Sequence, residues 1–262
     1  MQGKEKRSLL IGSLLMQEQQ NKIVKMAPLI AIIGCDGSGK STVSEAILSW
    51  IQGYGPAATV HLGKQAGNIG RALSRLPLVG SSIEKLISRK VTKTKSNRKK
   101  NQTPSVFVAL VIYAFSIRRL LRFRRMLALR RQGLIIVTDR FPQLGLPGAY
   151  DGPGLSIHAN GNSIVRWLAR REHAMYLWMT SFHPDLILRL NVDLDTACAR
   201  KPDHQRELLR VKIEATPLLK FDGAKIVEID SNQALADVLV AAKSAVAQTM
   251  AERAYVYKAS EV

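Results

Sequence analysis

The 262-residue chain is 46% hydrophobic, ample for a packed core, and its length favours one large domain over two small ones. Two cysteines, Cys35 and Cys198, are too few for a disulfide framework and lack metal-ligand spacing, which excludes a secreted disulfide scaffold and makes a reducing cytoplasm the simplest setting. The formal net charge of +19 points to anionic partners.

Residues 1–25 open with Lys4, Lys6 and Arg7 and a brief apolar stretch, which superficially resembles a secretion signal. Polar residues 17–22 follow with no small-residue cleavage pattern, and Met26 directly precedes the first strand. An N-terminal extension is therefore expected over 1–25, and the working domain over 26–262. Residues 29–33 form an unbroken apolar run of strand length, and 41–51 carry Val43, Ala46, Ile47 and Trp50 near helical spacing. Between them residues 34–42 read GCDGSGKST, the phosphate-binding (Walker A) pattern G-x-x-x-x-G-K-[ST] plus a threonine. Gly34, Gly37 and Gly39 let the backbone amides of Asp36, Ser38 and their neighbours turn inward. Lys40 reaches the β and γ phosphates, and Ser41, followed by Thr42, offers a hydroxyl to Mg2+. The expected ligand is a nucleoside triphosphate, with ATP as the default donor.

Residues 53–56 break the pattern, and 59–62 form a second strand. A basic insertion is expected at about 64–103, where residues 90–102 are almost wholly polar. Thr103 and Pro104 give a capping hydroxyl and a first-turn proline, so a long helix should run to about 131 with Gly133 as its stop. Its first half, 106–117, is nearly all apolar, and its second half carries seven arginines. Twelve apolar residues cannot span a bilayer, which takes about twenty.

A third buried strand over 134–137 ends at Thr138, Asp139 and Arg140. A helix over 163–180, a strand over 186–190, a short helix near 196, a helix over 205–219, a strand over 225–229 and a helix over 233–253 complete the order. This alternation predicts an α/β P-loop NTPase three-layer fold, with about five parallel strands between helices and the ligand site beyond the strands' carboxyl ends.

An aspartate ending a buried strand supports the magnesium site in phosphate-loop proteins, and Asp139 is so placed. Motors and pumps commonly follow it with an acid that polarises a hydrolytic water. Here Arg140 follows, which fits delivery of phosphate to an acceptor better than hydrolysis. The Asn-Lys-x-Asp element of guanine-specific switches is not present after the loop.

The loop at 34–42, Asp-Arg-Phe at 139–141 and HPDLILRLNV at 183–192 together resemble thymidylate kinase and its relatives, from about residue 28 to the last helix. The resemblance implies that Asp36 contacts an acceptor sugar hydroxyl, that Arg140 holds the acceptor phosphate, and that a basic lid at about 200–210 closes over ATP. Lid candidates are Arg200, Lys201, Arg206 and Arg210, with Arg200 and Arg206 as transfer cations. One branch of the family supplies such an arginine from within the loop, where this chain has Gly37. Arg206 and Arg210 equally suit an ordinary solvated helix face. In place of the family's Arg-Glu-Pro-Gly-Gly-Thr segment the chain has HLGKQAG at 61–67, so the acceptor departs from thymidylate. Lys64 and Arg71 are the remaining cations for an anionic acceptor. Tyr150, Trp167 and Tyr176 read as core rather than as a base platform.

Fifteen Lys or Arg and no Asp or Glu lie between residues 85 and 131. They could steer polyanionic substrates, lay the 106–131 helix on an anionic membrane, or bind nucleic acid without sequence preference, the last being disfavoured. A buried half-helix joined to a solvated half is the plain alternative. The sequence thus favours a magnesium-dependent kinase of a nucleotide or similar small anionic acceptor. The alternatives are a kinase of a sugar or lipid-linked glycan at the membrane surface and a non-catalytic nucleotide-dependent adaptor. The expected setting is cytoplasmic, with peripheral membrane association open and a homodimer as a further expected partner.

Overall fold

The computed structural model describes residues 26–63, 104–146, 151–158 and 162–258. The N-terminal extension, the 64–103 insertion, Lys64, Arg71 and Tyr150 lie outside the described residues. Strand β1 (Leu29–Gly34) leads into helix α1 (Lys40–Ile51), and a short 3-10 turn (Gln52–Tyr54) precedes β2 (Ala57–His61). Helix α2 (Val106–Arg131), β3 (Ile135–Asp139), α3 (Ser163–Thr180) and β4 (Leu186–Asn191) follow. The chain continues through α4 (Leu194–Arg200), α5 (Arg206–Ala215), a 3-10 turn (Thr216–Leu218), β5 (Lys225–Asp230) and α6 (Leu235–Glu252).

All strand pairs are parallel, in the order β2-β3-β1-β4-β5, so the loop after β1 leaves from the middle of the sheet. Successive side chains of a strand point to opposite faces, and β1 uses both. Ile30 and Ile32 pack with Val43, Ile47 and Val246 beneath α1 and α6, whereas Leu29, Ala31 and Ile33 pack with Phe123, Met126 and Tyr176 beneath α2 and α3. Each such isoleucine or leucine, fully removed from water, contributes about 1.5–3 kcal/mol of transfer free energy. The result is the three-layer α/β arrangement of P-loop NTPases, with the carboxyl edge of the sheet at Gly34, His61, Asp139, Asn191 and Asp230 where the strands end.

Helix α2 departs from the sequence expectation at its start and in its burial. It starts two residues late, because Ser105 rather than Thr103 is the cap, its hydroxyl accepting from the Val108 N–H at 3.4 Å. The stop is as expected: Gly133 N–H donates to Arg130 O and Leu134 N–H to Leu129 O, the paired bonds of a Schellman ending. Burial does not divide into a buried apolar half and a solvated basic half; each half has a buried and an exposed side. Phe107, Leu110 and Ile117 are exposed in the apolar half, while the arginine-rich half buries Phe123, Met126 and Leu127 together with Arg119 and Arg130. Arg130 is accommodated because its guanidinium donates to Ala27 O and pairs with Asp185 at 3.2 Å.

Candidate functional site

The loop between β1 and α1 folds tightly because two of its residues lack a side chain. A Cβ on Gly34 would sit 2.5 Å from Ser38 Oγ and 2.7 Å from Leu190 O, and one on Gly37, at φ 89°, would sit 2.9 Å from Ala197 O. The carbonyl of Cys35 gathers three donors, Lys40 Nζ at 2.5 Å, Ser38 Oγ at 2.9 Å and Ser38 N at 3.3 Å. Cys35 itself is more than a small loop residue, since it is buried against Val192, Ala197 and Leu209, and this burial pushes its thiol pKa up. Lys40 is buried at the first position of α1. Burial and the nearby Arg140 charge lower its pKa, against the pull of Asp36 and Asp139.

Asp139 and Arg140 stand at the next strand end. Asp139 pairs in register with Ile32 and with His61, whose Nδ1 lies 3.0 Å from Asp139 Oδ2. The other carboxylate oxygen, Oδ1, is buried with no hydrogen-bond partner among the described residues. Burial raises the Asp139 pKa, but His61, Lys40 and Arg140 outweigh it and hold the group below the usual carboxylate range. An ionised carboxylate with an unused oxygen suits a hard divalent cation, and Ser41, exposed in the first turn of α1, is the accompanying hydroxyl. Arg140 has the left-handed φ of 69°, uncommon for a side-chain-bearing residue, and its guanidinium lies 3.4 Å from Asp36 Oδ1 and 3.6 Å from Asp151 Oδ2.

Four residues here escape the sequence reading. Lys212, in the last turn of α5, donates its ammonium to Asp36 Oδ2, and His204 Nε2 lies 3.9 Å from the same oxygen. Desolvation raises the Asp36 pKa, yet Lys212, then Lys40 and Arg140, bring it below the ordinary value. Asp151 also has a left-handed backbone, at φ 66°, and faces both Arg140 and the fully buried Arg119. Arg119 donates to the Asp151 carboxylate and carbonyl and to Tyr176 Oη at 2.9 Å. A helical cation at the spacing of Leu209 and Thr216, both buried, was a visible signal for Lys212. Asp151 and Arg119 meet only through tertiary structure.

The lid candidates separate. Arg200, the last residue of α4, donates to Gly37 O at 3.3 Å and so touches the loop. Arg206 pairs with Asp195 at 2.7 Å, and Arg210 with Glu207 at 2.6 Å and Glu214 at 2.8 Å, all on exposed surface. That is the solvated-face arrangement. Trp167 is corrected outright: it is 53% exposed rather than core, because α3 turns that side away from the sheet, whereas Tyr176 on the inward side is fully buried.

Beside the loop lies a cavity of about 220 Å3, lined by Ser38, Gly39, Thr42, Arg200, Ser231 and Gln233. Val43, Leu235 and Val238 supply its apolar wall. Ser231, 2% exposed just beyond β5, holds its backbone to Asn191 O at 2.7 Å, while its hydroxyl is buried with no hydrogen-bond partner among the described residues. The cavity thus borders residues 34–42 through Ser38, Gly39 and Thr42, and the rest of its lining is apolar apart from Arg200, a neutral hydroxyl and a neutral amide.

The carboxylates give a sign to the acid response. Groups whose folded pKa lies below the unfolded value stabilise the protein above the unfolded value, and that contribution is lost as pH falls through the folded one. Asp36 and Asp139 are both lowered from 3.8. The melting-temperature difference between wild type and Asp36→Asn should hold steady from neutral pH to about 5 and shrink only below about 4. A difference already vanishing near pH 6 would contradict the ion-paired geometry.

No protein-family model matches the chain. Among curated proteins it is 39% identical over 234 residues to the uncharacterized ATP-binding protein YghS of Escherichia coli K12, spanning 88% of this chain and 98% of that protein. It is also 39% identical over 219 residues to the uncharacterized ATP-binding protein YghR of the same strain, spanning 83% of this chain and 86% of YghR. The YghR of E. coli O6:H1 matches to the same extent.

Proposed function

The chain belongs to the family of the YghS and YghR proteins, and on that premise we propose that it binds ATP with Mg2+ and transfers the γ-phosphoryl group to a nucleotide or similar small anionic acceptor. The names of these relatives support ATP as the nucleotide. The loop amides and Lys40 would hold the β and γ phosphates, and the cavity bounded by Val43, Ser231, Gln233 and Leu235 would take the nucleoside. Neutral hydrogen-bonding groups beside an apolar wall suit an uncharged base. Asp139 and Ser41 are the residues that would hold magnesium, which would supply neutralisation of the nucleotide's phosphate charge.

The observation that carries transfer rather than hydrolysis is the convergence on Asp36 of Arg140, Lys212 and His204. Arg140, at the exit of β3, and Lys212, on α5, bracket Asp36 beside the loop with the His204 imidazole near it; an acceptor would approach there, and the position after Asp139 is a guanidinium instead of a water-polarising acid. An incoming anionic group could exchange its oxygens for the Asp36 carboxylate and take over the cations. The acceptor oxygen then donates its electron pair to the γ-phosphorus, and the bond from that phosphorus to the β–γ bridging oxygen breaks, releasing ADP. A proton from a hydroxyl acceptor would pass to the freed Asp36 carboxylate. Arg200, which donates to Gly37 O at 3.3 Å, is the lid candidate that would meet the transferred charge.

The test is an acceptor screen with ATP and Mg2+ across nucleoside monophosphates, nucleosides and sugar phosphates, following ADP and product mass together. Expected is ADP in step with one acceptor that gains a phosphoryl group. ADP release with inorganic phosphate as the sole product would make the protein a hydrolase or switch and overturn the reading.

A further inference from the structure

Helices α2 and α3 lie side by side on the outside of the fold, and their outward faces carry the wrong composition for a surface that meets only water. On α2, Phe107, Leu110, Ile117 and Leu121 recur at helical spacing and are exposed, Leu121 at 59%. On α3, Trp167 and Trp178 are exposed beside them. The two helices adjoin along their length. Tyr113 meets Trp167 with ring centroids 6.4 Å apart, and Phe123 meets Trp178 at 5.8 Å, so the helices run in the same direction with matched levels. Scattered apolar residues on a surface are ordinary; a continuous strip over two helices is not.

The charge on this face has one sign. Helix α2 contains no Asp or Glu, and the acid of α3, Glu172, is fully buried, accepting from Ser116 Oγ and from the N–H groups of Gly154 and Leu155. Arg118, Arg124, Arg125 and Arg171 are exposed among the apolar residues. Two of them lie over indole rings, Arg124 over Trp178 at 5.8 Å and Arg171 over Trp167 at 5.4 Å, which places guanidinium and tryptophan at one level.

We infer that the outer face of α2 and α3 is a docking surface for an anionic lipid bilayer. Large apolar side chains enter the acyl boundary, tryptophans favour the interfacial level, and arginines meet lipid phosphates. A second copy of the chain fits less well, because an isologous contact sets each patch against itself and brings these arginines together with no exposed carboxylate on either helix to neutralise them. No described helix is long and apolar enough to cross a membrane, so the contact is peripheral. The inference stands apart from phosphoryl transfer.

Full-length protein sedimented with phosphatidylcholine vesicles, with and without phosphatidylglycerol, tests it. Expected is binding to anionic vesicles at low salt, at least about tenfold weaker binding to neutral ones, release as salt rises, and a blue shift of tryptophan emission on binding. The double variant Leu121→Glu/Trp167→Glu changes only exposed positions and should retain the wild-type circular dichroism while losing at least about tenfold in vesicle affinity. The inference fails if anionic vesicles at low salt leave the wild type in solution, or if the double variant binds undiminished. It fails equally if sedimentation velocity shows a wild-type dimer that the double variant converts to a monomer.

Discussion

Replacing Lys40 with alanine is expected to lower kcat/KM for ATP-dependent transfer by about 10²–10³-fold or more while leaving the protein folded. The size follows from where the charge sits. Lys40 is buried between Asp36, Asp139 and Arg140, in surroundings that exclude much of the water that would otherwise screen it. An ammonium so placed acts on phosphate charge developing nearby with little competition from solvent. The fold should tolerate its loss for the same reason. Burial and Arg140 lower the Lys40 pKa, so holding it charged in the folded state costs stability at neutral pH, and removing it relieves that cost. The Cys35 carbonyl keeps its bonds from Ser38 Oγ and N. Turnover and a thermal melt of the same preparation decide the matter. Turnover equal to wild type would remove Lys40 from the chemistry, and loss of the cooperative melt would show that its role is structural.

Much of this site is legible before any coordinates, and the division has a physical cause. Residues 34–42 are readable because a phosphate loop needs glycine where side chains collide, lysine at a fixed offset and a hydroxyl after it. Helix α3 is predicted at its observed bounds because its apolar positions keep a 3.6-residue period; the structure adds Asn162 as its cap, accepting from the Ile164 N–H at 2.8 Å. Local signals of that kind say which residues form an element, and they say less about which side of it is buried. The apolar run 106–117 reads as buried because it is apolar, yet only the sheet's position decides which residues face it. Asp151 illustrates a different limit. It belongs to no periodic element and no motif, and its partners are 11 and 32 positions away, Arg140 at the exit of the preceding strand β3 and Arg119 on α2. Lys212 was masked by its neighbours, since Arg206 and Arg210 on the same helix do form the solvated face that a charge run ordinarily means.

Arg119→Ala should destabilise the protein by about 3–5 kcal/mol, the cost of breaking a buried charge pair by removing one member. Arg119 is 1% exposed and serves the Asp151 carboxylate, the Asp151 carbonyl and the Tyr176 hydroxyl at once. Burial, opposed by Arg119, raises the Tyr176 pKa to about 12, so this hydroxyl stays protonated and accepts the guanidinium through its oxygen. Without Arg119 the Asp151 carboxylate remains buried with Arg140 at 3.6 Å, on a backbone held at φ 66°. A melting temperature lower by roughly 10 °C is the expected readout in a chain of this size. Arg119→Lys should recover little, because one ammonium cannot replace a planar fork that reaches three acceptors. The double variant Arg119→Met/Asp151→Asn separates pair energy from packing: removing both charges should return much of the stability, since a buried carboxylate left with only the partly exposed Arg140 at 3.6 Å is the main penalty. A single variant whose stability lies within about 1 kcal/mol of wild type would mean that Asp151 is solvated in solution. If the pair behaves as the geometry requires, the double variant also reports on function. Arg140 would keep Asp36 but lose its second carboxylate, and a rise in acceptor KM with ATP KM unchanged would place Asp151 on the acceptor side of the site.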